Sequence, residues 1–219
     1  KSPGRERFFQ TPKLEATFGG SESNVAISIA NFEENARFAT ALPDNPLGDG
    51  VIRFLRSMNV DTSQVLRQGP RLGAYYLEAG SGPRPSNVIY DRAHSSISEA
   101  KADDFDWDEV FKDAGWFHIS GITPALSETA AKLSIRAVQE AKKRDITVSC
   151  DLNYRKKLWN YGKSAPEVMS QMVPNIDVVI GNEEDVQKCL DLELGQDIVG
   201  TKLSHENYAA LAEKVFEKF

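Results

Sequence analysis

The chain has 219 residues, of which 41% are hydrophobic and 26% charged, with 15 glycines and 10 prolines. Those proportions fit a globular fold and exclude collagen-like, disordered and small disulfide-scaffold classes. With 26 basic against 32 acidic side chains the net charge is −6. No basic excess exists to displace counterions from nucleic acid, and no apolar run approaches the roughly 18 residues of a membrane span.

A length of this order suits one to two domains. Cys150 and Cys189 stand outside any CxxC pair, so free buried thiols in a reducing compartment, the cytoplasm, are expected rather than a disulfide. His94, His118 and His205 share no ligand spacing, and zinc is not expected. The chain begins Lys1-Ser2-Pro3-Gly4 and ends Glu217-Lys218-Phe219 inside a predicted helix. Both ends read as cut, so a portion of a longer protein is expected.

In chain order, residues 7–10 and 15–18 read as two short strands with Thr11-Pro12 turning between them. Gly19-Gly20-Ser21 breaks the pattern. A helix of small and apolar residues follows over 22–31, expected to be buried on most sides. Residues 36–42 read as a buried strand and Pro43-Asp44-Asn45-Pro46 as a loop. Val51, Phe54, Leu55 and Met58 recur at i, i+3, i+4, i+7 and predict an amphipathic helix over 49–58, with Asp49 as its cap. Residues 74–78 and 87–91 alternate as strands around the turn-rich Gly80-Ser81-Gly82-Pro83-Arg84-Pro85, which predicts an antiparallel hairpin.

Beyond the hairpin the pattern becomes regular. Strands are predicted at 116–120, 146–150 and 176–180. Helices are predicted along the Leu126, Ala130, Leu133, Ala137, Val138 and Ala141 face, over 166–172, and from Glu183. A last helix carries Tyr208, Leu211, Ala212, Val215 and Phe216 on one face. Strand starts thirty residues apart suit repeated βαβ units with a parallel sheet. In such sheets ligands bind beyond the carboxyl ends of the strands. That rule directs attention to Gly121-Ile122-Thr123, Asp151-Leu152-Asn153-Tyr154-Arg155 and Gly181-Asn182-Glu183-Glu184-Asp185.

The familiar phosphate loops, GxxxxGK[ST] and GxGxxG, are absent, which disfavours P-loop and dinucleotide enzymes. Gly19-Gly20-Ser21-Glu22-Ser23-Asn24 has two readings. A double glycine lets the backbone approach a ligand, with Asn24 offering a donor and an acceptor to sugar hydroxyls. The alternative is a strand-to-helix turn capped by Ser21. His118 reads as a satisfied core histidine.

Gly19-Gly20-x-x-x-Asn24-Val25-Ala26 resembles the first signature of the ribokinase-like (PfkB) carbohydrate kinases, and the resemblance continues through Asp44-Asn45-Pro46-Leu47-Gly48 and Val60-Asp61-Thr62. The segments 73–78, 88–92, 116–122 and 151–155 resemble the 2-keto-3-deoxygluconate kinase branch in particular. The resemblance implies a parallel α/β sandwich with a small β lid. Residues 1–18 would be lid strands, 19–71 the first part of the core, 72–98 a lid hairpin and 99–219 the second part. It implies ATP and Mg²⁺ as cofactors and a sugar acid phosphorylated at its primary hydroxyl. An exposed lid carrying Phe8, Phe9, Tyr75 and Tyr76 would offer an apolar face that a partner lid could cover, so a homo-oligomer through the lid is expected. No nucleic-acid or membrane partner is expected.

Residue by residue, the resemblance implies that Gly20 and Asn24 contact the sugar and that Tyr75, Tyr90 and Arg92 close over it. Arg155 would lie between sugar and nucleotide phosphates, stabilising charge on the transferring group, with Asn153 near the phosphates. The acid end of the substrate requires a cation, for which arginine offers a planar fork. Plainer readings stay open: hairpin packing for Tyr75 and Tyr90, a solvated strand end for Arg92, and a surface cluster with Lys156 and Lys157 for Arg155. Asn182-Glu183-Glu184-Asp185 resembles the family's NxxE element, which organises Mg²⁺ and phosphate through water. Here aspartate replaces the last glutamate, leaving Glu184 or Asp185 as the acting carboxylate. A helix N-terminus with acidic residues is the structural alternative. Family members carry a catalytic aspartate in a C-terminal GAGD motif. Gly48-Asp49-Gly50 comes too early to be that motif, so no catalytic base is assigned. Competing expectations are a kinase of a neutral sugar such as fructose or ribose, a non-catalytic binding module and, more weakly, a Rossmann-type oxidoreductase.

Overall fold

The computed structural model describes residues 1–192 and 205–219, arranged as two compact units, Lys1–Ala100 and Lys101–Phe219. Among the described residues no helix is long and apolar enough to cross a membrane.

The first unit opens without regular structure. The strands expected at 7–10 and 15–18 do not form: the chain turns at Phe8 and Phe9, and Phe9 takes a left-handed φ of 66°. Pro3 and Pro12 have no N–H to give a ladder, and Gly4 is left-handed as well, at φ 51°. The segment is fastened by isolated bonds instead. Ser2 N–H donates to the Leu77 carbonyl at 2.9 Å, and Phe8 N–H to the Glu78 carboxylate at 3.0 Å.

Helix α1 (Ser21–Asn31) follows. Its N-cap is Gly20, with no side-chain cap, so the expected cap by Ser21 is not made; Ser23 Oγ donates to the Gly20 carbonyl instead. Only Ala26 and Ala30 are buried, one stripe at i, i+4, and Ile29 is 41% exposed, so the helix is not buried on most sides. That stripe packs with Leu55 and Val60, flanked by Phe38 and Val51.

Strand β1 (Thr40–Leu42) is shorter than the 36–42 expected from sequence. Its parallel partner β2 (Val65–Arg67) offers only three residues, and a single bridge, Arg37 with Asp61, extends the pairing. Between them runs α2 (Pro46–Ser57). Asn45, not Asp49, is its cap: Asn45 Oδ1 accepts the N–H groups of Leu47 and Gly48 at 3.0 and 3.1 Å. Pro46 fills the first helical position, where no N–H is required. Asp49 is instead bonded to Arg67 at 2.7 Å.

Strands β3 (Ala74–Glu78) and β4 (Asn87–Asp91) form the expected antiparallel hairpin, with Tyr75 opposite Tyr90. Its turn is closed by a Ser81–Arg84 bridge, with Gly82 at φ 56°. A one-turn helix α3 (Ser96–Glu99) ends the unit.

The second unit begins with a 3-10 turn (Ala102–Asp104), followed by the short helix α4 (Trp107–Val110), capped by Asp106. Three parallel strands follow in order β5 (Trp116–Ser120), β6 (Thr147–Asp151) and β7 (Val178–Ile180). The connecting helices are α5 (Glu128–Lys142) and α6 (Ala165–Met172), and α7 (Glu183–Leu190) follows β7. Ser127 caps α5, and a Ser164–Glu167 box starts α6. The buried face of α5 carries Ala130, Leu133, Ala137, Val138 and Ala141, as its periodicity predicts. Met169 and Met172 of α6 are fully buried, each contributing about 1.5–3 kcal/mol of hydrophobic stabilisation. Helix α8 (His205–Lys218) departs from its expected face. Leu211 is buried, but Tyr208 is 45% and Phe216 83% exposed.

Candidate functional site

The residues singled out in the sequence fall into two groups, one in each unit. In the first unit the double glycine, Asn24 and the hairpin converge. A Cβ built on Gly19 would lie 3.5 Å from Tyr75 Oη and 3.8 Å from Asn24 Oδ1. The glycine loop therefore runs beneath the tyrosine hydroxyl and beside the asparagine amide. Gly20 holds the first turn of α1, its carbonyl accepting the Asn24 N–H at 2.9 Å.

Arg92 extends from the end of β4 over two rings. Its guanidinium carbon lies 5.8 Å from the Tyr75 ring centre and 5.1 Å from that of Tyr90. The cross-strand pairing of the two tyrosines sets this up. Cation–π contacts at exposed sites are worth about 0.5–1 kcal/mol each.

A second arginine, overlooked in the sequence, fixes the strand end beneath it. Arg71 grips Asp91 through two bonds of 2.7 and 2.6 Å. Those bonds hold the Asp91 carboxyl below its ordinary range. Only the hairpin register tells which arginine is engaged by the neighbouring aspartate and which is stacked on the tyrosines.

In the second unit the carboxyl ends of the three strands meet closely. Gly121 follows β5, and a Cβ there would come within 2.1 Å of the Leu152 carbonyl, so only glycine fits. Its N–H bonds to the Asp151 carbonyl at 2.8 Å, and Leu152 N–H to the Ile180 carbonyl at 2.8 Å. Asp151 lies in a cluster the sequence singles out, but no role is assigned to it there. Its carboxyl is pushed above its ordinary range, first by burial and also by Asp185, against the opposing pull of the Asn153 N–H, His118 and Arg155. Asn153, whose N–H bonds to Asp151 Oδ1 at 3.1 Å, takes a left-handed φ of 39°. Arg155 is exposed, and its Nη1 donates to the Tyr154 carbonyl at 2.7 Å.

The acidic start of α7 divides into separate roles. Asn182 caps the helix, Oδ1 accepting Asp185 N–H at 2.9 Å. Glu183 accepts the Tyr208 hydroxyl at 3.0 Å, and Glu184 is exposed. Asp185 is buried and turned to the main chain. Among the described residues no three His, Cys, Asp or Glu side chains are grouped to hold a metal. His118 is half-buried and its Nδ1 pairs with Ser149 Oγ at 2.9 Å, while its Nε2 makes no such bond among the described residues, so the satisfied core histidine expected from sequence is met only in part. Both cysteines are free and buried, and burial pushes the Cys189 thiol up to about 12.

A model of the pfkB family carbohydrate kinases matches residues 5–219. The chain belongs to the pfkB family. Among solved pfkB-family structures, the 2-dehydro-3-deoxygluconokinase of Thermotoga maritima superposes with a TM-score of 0.90 at 44% identity, covering 99% of this chain and 64% of that one. The 2-dehydro-3-deoxygalactonokinase of Haloferax volcanii is 39% identical over 191 residues, 87% of this chain and 59% of its own length. The 2-dehydro-3-deoxygluconokinase of Thermoproteus tenax is 28% identical over 189 residues, 85% of this chain and 56% of its own. The chain thus spans somewhat more than half the length of the relatives it matches. Its fold is the ribokinase-like fold of the family.

Proposed function

We propose that the protein is an ATP-dependent kinase that phosphorylates the primary hydroxyl of a keto-deoxy sugar acid, 2-keto-3-deoxygluconate (2-dehydro-3-deoxygluconate) giving the 6-phosphate. The observation that carries this reading is the Arg92 guanidinium stacked on Tyr75 and Tyr90, within the unit that also holds Gly19, Gly20 and Asn24. A sugar acid differs from a neutral sugar by a carboxylate, and a guanidinium is a planar fork of donors that matches that group. The names of the similar kinases above support the same substrate class.

In this reading Gly20 and Asn24 receive the sugar hydroxyls, while Tyr75, Tyr90 and Arg92 cover the ring and grip its acid end. Arg155 lowers the barrier by offsetting charge that builds on the transferring phosphoryl group, with Asn153 beside the phosphates. Residues 182–185 do not fit a direct Mg²⁺ cage, since both Asp185 oxygens accept main-chain N–H groups. The ion enters with the nucleotide as substrate. Two buried free thiols suit a reducing cytoplasm. The exposed Tyr76 and Ile89, cross-strand partners on the hairpin face opposite Tyr75 and Tyr90, suit pairing of two lids, an arrangement that purely monomeric sedimentation at micromolar concentration would reject.

The test is phosphoryl transfer by the full-length protein from ATP to 2-keto-3-deoxygluconate, with fructose and ribose as controls. Product from the acid alone is expected. Turnover of the neutral sugars alone would move the assignment to a neutral-sugar kinase, and turnover of none would leave a binding protein.

A further inference from the structure

The loop after β6 is secured by one buried carboxylate. Asp185, in the first turn of α7, is 8% exposed. Its Oδ1 accepts the Tyr154 N–H at 2.9 Å and its Oδ2 the Asn182 N–H at 3.3 Å. One side chain thereby ties the segment beyond β6 to the segment beyond β7. The Tyr154 carbonyl in turn accepts Arg155 Nη1 at 2.7 Å. Tyr154 is thus held at its N–H by Asp185, while its carbonyl orients the guanidinium.

Two further features point the same way. Asn153, immediately before the clamped amide, is left-handed at φ 39°, a conformation that persists only where its surroundings over-determine it. The stem of Asp185 is also tightly seated. A Cβ on Gly181 would come within 3.3 Å of Asp185 Cβ and 3.2 Å of Leu152 Cδ1. A carboxylate so enclosed and turned toward two amides is built to hold backbone.

We propose that Asp185 is a positioning residue that sets Arg155 by clamping the Tyr154 backbone, and that its charge does not organise metal or phosphate. The role of Arg155 rests on the kinase reading above; the clamp itself does not.

The full-length protein is compared with its Asp185→Asn and Asp185→Ala variants. Asparagine keeps an oxygen for the Tyr154 N–H without the charge, and alanine removes the acceptor. Hydrogen exchange at the Tyr154 amide is expected to accelerate by about tenfold or more in the alanine variant, the equivalent of losing one charge-assisted bond, and by less in the asparagine variant. A mispositioned Arg155 is expected to lower kcat by about 10²-fold in Asp185→Ala with KM changing far less. Asp185→Asn is expected to lose about tenfold or less, with the half-saturating Mg²⁺ concentration of the wild type. Equal losses in the two variants overturn the proposal, and a raised Mg²⁺ requirement in both would give the charge to the metal. Unchanged Tyr154 exchange in Asp185→Ala overturns it as well. Should the alanine variant fail to fold, Asp185→Asn carries the test: an unchanged Mg²⁺ requirement supports the clamp and a raised one refutes it. A wild type that phosphorylates no sugar acid refutes the kinase reading, and the exchange measurement still decides the clamp.

Discussion

The two units hold their candidate residues by different means. In Lys1–Ala100 the hairpin side chains hold one another: Arg92 rests on Tyr75 and Tyr90, and Arg71 grips Asp91. These groups are partly exposed, so each contact is individually weak. In Lys101–Phe219 the main chain does the holding, with buried acceptors at the strand ends fixing the amides of Gly121, Leu152 and Tyr154. Buried polar groups left without partners are costly, so that half should tolerate change poorly. A surface built of stacked side chains can adapt to a ligand. A strand edge fastened through backbone amides keeps one geometry.

The largest effect is expected from Gly121→Ala. The added methyl would lie 2.1 Å from the Leu152 carbonyl, and neither backbone can yield. A loss of about 3 kcal/mol or more in urea unfolding is expected. The same change at Gly181 meets side chains rather than backbone, Leu152 Cδ1 at 3.2 Å, Asp185 Cβ at 3.3 Å and Leu152 Cβ at 3.4 Å, and should cost clearly less. Equal costs would mean that backbone crowding beyond β5 is not what makes this strand edge intolerant of change.

Next comes Arg92→Lys, which keeps the charge but loses the planar fork. KM for the sugar acid is expected to rise by about 10- to 100-fold, the value of one charged hydrogen bond, while KM for ATP stays put. Similar losses for both ligands would break the assignment of the hairpin to the acid group.

The smallest effect concerns acid stability. Glu140, on α5, accepts bonds from Lys143 and Arg144 and is also paired with Arg136, and those partners hold its carboxyl down to about 2 from an ordinary 4.5. A folded-state value below the unfolded one gives stability that is complete above about 4.5 and fades as pH falls toward about 2. Urea midpoints at pH 6 and pH 3 should therefore differ less in Glu140→Gln than in the wild type. An unchanged difference would show that other carboxylates govern the acid limb.

Much of this was legible in the chain before folding. The hairpin strands fall at Ala74–Glu78 and Asn87–Asp91 as the alternation predicts, because period-two patterning and a glycine–proline turn are local signals. Strand β5 and the buried face of α5 are equally local. The N-terminal strands were not legible: Arg7-Phe8-Phe9-Gln10 has strand-forming residues, but Phe9 is left-handed and 99% exposed. Propensity there yields to the lack of a pairing partner. The cap of α2 was placed at Asp49 instead of Asn45, since both residue types cap helices and only the bonds made to Leu47 and Gly48 decide between them.

For the site, local patterning marked the hairpin and the clusters 151–155 and 181–185, because strand ends and turns are local signals, while the choice of Tyr75, Tyr90, Arg92, Asn153, Arg155, Asn182 and Asp185 within them came from the resemblance to the family. Which partner each one takes depended on register and on contacts between residues far apart in sequence. Arg71 rather than Arg92 holds Asp91, and Asp185 reaches 31 residues back to Tyr154. Linear order carries no record of such distances; they arise only when parallel strands bring their ends to one edge and burial obliges each carboxylate there to find a donor.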